Sequence, residues 1–291
     1  MIDINGTTRV CGLIGNPVGH SISPVIHNSL AQLMDMNMVY TTFKVEKGDV
    51  VTAVNGAYAL NILGLNVTVP HKQAVMESLV DIDPLAKAIG AVNTLVRTDK
   101  GYKGYNTDIL GLERELIDEG VVLLGSRCVI LGAGGAARAI AFLCAKSGAK
   151  EIYMLNRTKE KAYDIAKAVN DYFGKECIKP MLISEYDKLE ADDYVVIQTT
   201  SVGLYPNVDD VVIDDEAFYK KAAVGVDIIY NPGETMFMKL IKAQGKKAYN
   251  GLKMLLYQGV SAYELWNDCK ITKEEADEVY KCLQKELGIN E

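Results

Sequence analysis

The order of apolar and polar positions along the chain predicts strands alternating with helices over most of its length. An apolar run at residues 9–14 predicts the first strand, and the polar loop that follows contains Gly15-Asn16-Pro17-Val18-Gly19-His20-Ser21. A helix is expected from Ser23, read as its N-cap, with Pro24 at the first helical position. Ile26, Leu30, Leu33 and Met34 then recur at helical spacing and form a core-facing stripe. Further strands are expected near residues 39–45, 63–68 and 91–96. The last of these and a strand at 102–105 flank Thr98-Asp99-Lys100-Gly101, which reads as a hairpin turn. A helix over about 109–119, with Thr107 or Asp108 as N-cap, is read as the bridge to a second domain.

The second half repeats the alternation more cleanly. A buried strand at 128–131 leads into a glycine turn and a helix to about residue 147. A strand at 152–156, a helix to about 173 and strands at 194–199 and 224–229 follow, which together predict a mostly parallel sheet covered on both faces. From about Gly251 the chain reads as helical, and Thr272-x-x-Glu275 opens the last helix as a capping box.

Composition narrows the function. A chain of 291 residues is long for one core and comfortable for two. A net charge of −7 and a pI near 5.2, with no dense Lys/Arg cluster, exclude nucleic acid or an anionic membrane as the main partner. The six cysteines are scattered without metal or disulfide spacing, and read as reduced thiols. The first residues lack a basic region followed by an apolar core, so no signal peptide is expected. No apolar run approaches bilayer length. A soluble, cytoplasmic protein is the expectation.

Chemistry enters at Gly132-x-Gly134-x-x-Ala137, placed directly between a strand and a helix. Gly132 permits the tight turn, Gly134 lets backbone approach a pyrophosphate, and Ala137 allows close helix–strand packing. This is a Rossmann-type dinucleotide site. An enzyme selecting NAD usually ends the next strand in Asp or Glu to bond the ribose 2′-hydroxyl. Here that strand ends in Asn156, followed by Arg157, Thr158 and Lys161, a set suited to a 2′-phosphate. NADP is the expected cofactor. The bland alternative is a solvated helix start with Thr158 as its N-cap.

In the first half, Asn66, Thr68 and Lys72 lie just past a buried strand, and Asn106 and Asp108 lie past another. Ligands gather outside the carboxyl ends of strands in open α/β sheets. Hydride transfer to or from an alcohol carbon needs a group that exchanges the hydroxyl proton, a role within reach of Lys72 with Asp108 orienting it. Each also has a bland reading, Lys72 as a surface lysine and Asp108 as a helix cap.

Motif after motif from Gly15 to Gln258 resembles the shikimate dehydrogenase family: GNPVGHSISPVIHN, NVTVPHK, GAVNTL, GYNTD, GAGGAARA, NRT, TTSVG, YNPGET and NGLKMLLYQ. The resemblance implies NADP-linked reduction of 3-dehydroshikimate to shikimate. It implies Lys72 and Asp108 as the catalytic pair, and Ser21, Ser23, Thr68, Asn93, Tyr230 and Gln258 as partners of the substrate carboxylate and hydroxyls. Around the cofactor it implies Gly132, Ala133, Gly134, Gly135, Ala136, Asn156, Arg157, Thr158, Lys161, Ile228, Gly251 and Met254. The implied fold is α/β with two domains and a cleft between them. Residues 1–107 with about 262–291 form the substrate domain, and about 108–261 the NADP-binding domain. No metal enters this scheme, His71 stays a loop residue, and a monomer or homodimer is expected.

Quinate/shikimate dehydrogenases share most of these motifs. They tend to carry an acid near the adenosine ribose and, in some members, a threonine at the second serine of S-x-S. This chain has Asn156 and Ser23 at those places, which points to shikimate with NADP. A third reading, from another class, is a regulatory module that kept the dinucleotide and lost turnover.

Overall fold

The computed structural model describes residues 4–289 and divides the chain into two units, residues 1–111 with 255–291, and residues 112–254. These boundaries fall inside helices, a few residues from the sequence-based divisions at 107/108 and about 261/262.

The strands of the first unit are β1 (Arg9–Gly15), β2 (Met38–Lys44), β3 (Gly64–Val67), β4 (Asp81–Ile82), β5 (Thr94–Thr98) and β6 (Gly101–Tyr105). Its helices are α1 (Ser23–Leu33), α2 (Val50–Ala59), α3 (Pro84–Ile89), the start of α4 (Thr107–Asp118), most of α9 (Leu252–Asn267) and α10 (Lys273–Glu286). The sheet runs β2-β1-β3-β5-β6-β4, with β5 antiparallel to both neighbours and the other pairs parallel. Val54, Leu65, Val67, Val75, Leu95 and Tyr102 build the core beneath α2. On the other face Trp266 of α9 lies flat against Gly64, where a Cβ would sit 2.1 Å from the indole nitrogen, and its Nε1–H donates to the Leu95 carbonyl at 2.9 Å. That contact, with α10 packed on α1, fastens the C-terminal helices to this unit. The capping box at Thr272 and Glu275 is formed as the sequence predicts.

In the second unit β7 (Arg127–Leu131), β8 (Glu151–Asn156), β9 (Ile178–Leu182), β10 (Tyr194–Gln198), β11 (Ala222–Asp227) and β12 (Lys247–Tyr249) form an all-parallel sheet. Helices α5 (Gly135–Lys146), α6 (Lys159–Phe173), α7 (Glu216–Lys220) and α8 (Met236–Ala243) accompany it. The order β12-β11-β10-β7-β8-β9 is the doubly wound dinucleotide-binding order, which reverses between β7 and β10. Among the described residues no helix is long and apolar enough to cross a membrane.

Three local expectations change, the first being that Leu33, expected in the core-facing stripe of α1, is 39% exposed. Ile22, not Ser23, is the N-cap of α1, because Ser23 already has helical geometry and its N–H is taken by the Ser21 hydroxyl at 3.3 Å. Helix α4 begins at Thr107, so neither Thr107 nor Asp108 caps it. The Asn106 side chain does so instead, accepting from the Asp108 N–H at 3.1 Å.

Candidate active site

Register places the polar loops of the first unit on one rim. Leu13, Asn66, Thr94 and Tyr105 lie abreast across β1, β3, β5 and β6. Because β5 runs opposite to β3, the residue entering it, Asn93, comes beside residues leaving β3 and β6. Lys72, Asn93 and Asp108, far apart in sequence, therefore meet.

The loop holding Lys72 is pinned from beneath. His71 is buried, with Nε2 2.8 Å from the Val45 carbonyl oxygen, so that nitrogen carries the proton. The Val92 N–H donates to the Lys72 carbonyl at 2.8 Å. With its backbone fixed, Lys72 directs Nζ to Asp108 Oδ2 at 2.7 Å, the two side chains being 32% and 19% exposed. Asp108 Oδ1 accepts from Asn93 Nδ2 at 2.8 Å. Both carboxylate oxygens thus face donors, and the capping role of Asn106 leaves the Asp108 side chain available for the lysine.

Of the other residues expected around a substrate, Ser21 and Ser23 are joined to each other, hydroxyl to hydroxyl at 3.2 Å. Thr68 is set by its backbone, donating to the Ile14 carbonyl at 2.9 Å and accepting from the His71 N–H at 2.9 Å. Gln258 turns its amide nitrogen back to the Leu255 carbonyl within α9, at 2.9 Å. Tyr230 belongs to the second unit, and burial pushes its phenol above the ordinary value.

The second unit builds its site from backbone shape. Gly132 ends β7 at φ +109°, a conformation side-chain-bearing residues rarely adopt, and a Cβ there would meet Thr199 Oγ1 and Thr200 Cγ2 at 2.8 Å each. Gly134 is the N-cap of α5, without a side-chain cap, and a Cβ on Gly134 or Gly135 would meet nothing within 4 Å. Ala133 and Ala136 complete this turn at the helix N-terminus, whose N–H groups are free to bind an anion. Ala137 is fully buried.

At the end of β8, Asn156 Nδ2 donates to the Thr158 carbonyl at 2.8 Å and closes the turn that projects Arg157. Thr158 is the N-cap of α6 by position but makes no side-chain cap bond. Arg157 and Lys161 are exposed and take no part in ion pairs among the described residues. Asn156 and Arg157 line a cavity of about 700 Å³ with Thr200, Ser201, Met236 and Leu240. Asp209, Asp210 and Asp214 line it too, which the sequence reading did not single out.

Asp227, at the end of β11, also went unnoticed in the sequence. Buried, it accepts from the Ile229 N–H at 3.0 Å, the Thr235 hydroxyl at 2.7 Å and Gln198 Nε2 at 3.4 Å. Burial still pushes its pKa up to about 6. It organises the loop carrying Ile228 and Tyr230. Gly251 abuts that loop, since a Cβ there would stand 2.2 Å from the Ile228 carbonyl oxygen, and Met254 follows on α9, partly buried. Among the described residues no group of three or more His, Cys, Asp or Glu is placed to hold a metal ion.

Comparison with known proteins agrees over both units. Residues 13–95 match the shikimate dehydrogenase substrate binding domain, and residues 116–228 match shikimate / quinate 5-dehydrogenase. A shikimate dehydrogenase (NADP(+)) of Desulforamulus reducens is 43% identical over 265 residues, covering 90% of this chain and 91% of that one. Among solved structures, a shikimate dehydrogenase in complex with NADP+ superposes with a TM-score of 0.88 at 38% identity, over 99% of this chain and 98% of the other. The Thermus thermophilus shikimate 5-dehydrogenase in complex with NADP(H) and shikimate gives 0.82 at 28% identity, over 94% and 99%. With its two sheets, its glycine turn and these relatives together, the chain belongs to the shikimate dehydrogenase family.

Proposed function

We propose that this protein catalyses the reversible NADP-dependent reduction of 3-dehydroshikimate to shikimate, a step of aromatic amino-acid biosynthesis, with Lys72 and Asp108 as its proton-transfer pair. The observation that carries the reading is the 2.7 Å contact between Lys72 Nζ and Asp108 Oδ2, with the second carboxylate oxygen held by Asn93. Bound NADPH supplies the hydride, and NADP+ accepts it in the reverse direction. As the carbonyl oxygen gains negative charge, Lys72 donates a proton from Nζ; in the oxidation Nζ takes it back. Asp108 fixes the ammonium in direction and offsets its charge. A pure binding module has no use for such a pair.

Substrate recognition falls to Ser21, Ser23, Thr68, Asn93, Tyr230 and Gln258. A small polyol acid needs hydroxyl and amide partners, because an apolar pocket leaves its oxygens unpaired. The open space over Gly134 and Gly135 fits a pyrophosphate, which a Cβ would obstruct. In this reading Gly132 to Ala136 hold the phosphates. Asn156, Arg157, Thr158 and Lys161 read the 2′-phosphate, and Ile228, Gly251 and Met254 border the cofactor. Ser23 and the absence of an acid at Asn156 favour shikimate and NADP over quinate and NAD. A cytoplasmic monomer or homodimer without nucleic-acid, membrane or metal partners completes the proposal.

The test is nicotinamide absorbance with shikimate or quinate, each paired with NADP or NAD. Fast turnover only with shikimate and NADP is expected. Comparable rates with quinate or NAD would move the protein to the broader quinate/shikimate group, and silence in all four would overturn the catalytic reading.

A further inference from the structure

Beneath the Lys72–Asp108 pair lies a buried polar row. Tyr40 Oη lies 2.9 Å from Asn66 Oδ1, and Asn66 Nδ2 lies 3.1 Å from Thr94 Oγ1 and 3.3 Å from the Asn93 carbonyl. Thr94 Oγ1 lies 3.0 Å from Asn93 Oδ1 and 3.0 Å from Thr107 Oγ1. Thr107 Oγ1 is 3.2 Å from Asn93 Oδ1, and Asn93 Nδ2 reaches Asp108 Oδ1. Tyr40, Asn66, Asn93, Thr94 and Thr107 are all buried, so water does not compete for these bonds.

Two backbone groups fix which way both amides of the row point. The Thr107 N–H, 2.7 Å from Asn93, can only donate, so the amide oxygen of Asn93 must face it and the nitrogen must face Asp108. The Asn93 carbonyl can only accept, so the amide nitrogen of Asn66 must face it and the oxygen must face Tyr40. With Asn66 donating to Thr94, the Thr94 proton goes to Asn93 directly or through Thr107. Tyr40 is left as a donor, a role it keeps at working pH because burial raises its phenol well above the ordinary value. Its ring is held by stacking on His27, with centroids 4.1 Å apart.

Building on the proposed reaction, we infer that Tyr40 and Thr94 are positioning residues for catalysis. They complete a one-way hydrogen-bond chain, Tyr40 to Asn66 to Thr94 to Asn93 to Asp108, whose direction the Thr107 N–H and the Asn93 carbonyl set, and so restrain the Asn93 amide that holds Asp108 Oδ1. An Asn93 loosened by the loss of either hydroxyl would hold Asp108 less firmly against Lys72. Neither Tyr40 nor Thr94 need touch the substrate for this.

The experiment compares Thr94→Val, Thr94→Ser and Tyr40→Phe with the wild-type protein in shikimate oxidation. Thr94→Val keeps the shape and removes the hydroxyl. Its kcat should fall about three- to tenfold or more, the worth of one buried hydrogen bond, with KM for NADP unchanged. Thr94→Ser, which restores the hydroxyl, should recover most of the loss, and Tyr40→Phe should lower kcat by a smaller factor. Wild-type kcat in both Thr94→Val and Tyr40→Phe would overturn the inference, as would Thr94→Ser impaired as deeply as Thr94→Val, since that would trace the loss to packing. If Thr94→Val does not fold, the Tyr40→Phe kcat decides. A wild-type protein silent on shikimate would instead overturn the functional reading on which this rests.

Discussion

The two units make their sites by opposite means. In the first, the proposed site rests on side chains drawn from distant parts of the sequence and locked by polar contacts, as Lys72, Asn93 and Asp108 are. In the second, the proposed phosphate turn rests on the path of the backbone, with the side chains of Asn156, Arg157, Thr158 and Lys161 at its margin. Gly132 turns where no Cβ fits, and Gly134 and Gly135 leave room where a Cβ would meet no protein atom. The first site should therefore fail when a polar atom is removed. The second should fail when a carbon is added.

The sharpest test of that contrast is Lys72→Ala. Loss of a positioned proton donor should lower kcat by roughly 10²–10⁴-fold. NADP affinity, measured by titration, should stay unchanged, because the proposed cofactor residues lie in the other unit. A variant with near-normal kcat would remove Lys72 from the chemistry.

Next in size, Arg157→Ala should raise KM for NADP by about 10–100-fold, the worth of a charged hydrogen bond, while KM for NAD moves little. Equal effects on both cofactors would show that Arg157 does not read the 2′-phosphate, leaving that unit's recognition to backbone alone.

The glycines sharpen the same comparison. Gly132→Ala combines a positive φ with contacts at 2.8 Å and should cost roughly 1–3 kcal/mol of stability. Gly134→Ala, in open space, should leave the melting temperature nearly unchanged while weakening NADP binding. If Gly134→Ala bound NADP normally, the pyrophosphate would not approach there.

A subtler contrast lies in buried charge. The polar row behind Asp108 is paired throughout, whereas Glu115 on α4, in the second unit, is 1% exposed and its Oε2 has no hydrogen-bond partner among the described residues. Burial, aided by the neighbouring Glu119 charge, pushes its pKa up to about 8. The folded protein then binds a proton that the unfolded chain has released, so stability falls as pH rises from about 4.5 to about 8. Glu115→Gln does not titrate. Its melting temperature relative to wild type should climb through that window and level off above it. A difference independent of pH would mean that Glu115 stays ionised in the fold.

The units also differ in how much of each was legible beforehand. The glycine turn is local: strand, Gly-x-Gly and helix stand side by side in sequence, and so does Asn156 at the end of the next strand. The helix start at Asp108 misled because three adjacent residues compete for one cap. Asn106 takes it, accepting from the Asp108 N–H, while the Thr107 N–H goes to Asn93, a partner fourteen residues away. Strands β4, β9 and β12 also escaped the sequence reading. All three lie at sheet edges; β4 and β12 are also short, and β9 carries Pro180, which an edge tolerates and a pattern reading discounts.

By itself, then, the sequence determined what neighbouring residues decide among themselves: the alternation of strands and helices, the phosphate-ready turn, the missing acid at Asn156, and a set of motifs specific enough to indicate the family. Only the tertiary structure decided which way each amide points, which residue caps α4, and that Tyr40 and Thr94 stand behind Asp108. The reason is physical. Hydrogen-bond direction is set by whichever fixed backbone donor or acceptor lies opposite, and the antiparallel pairing of β5 with β3 and β6 brings those groups together.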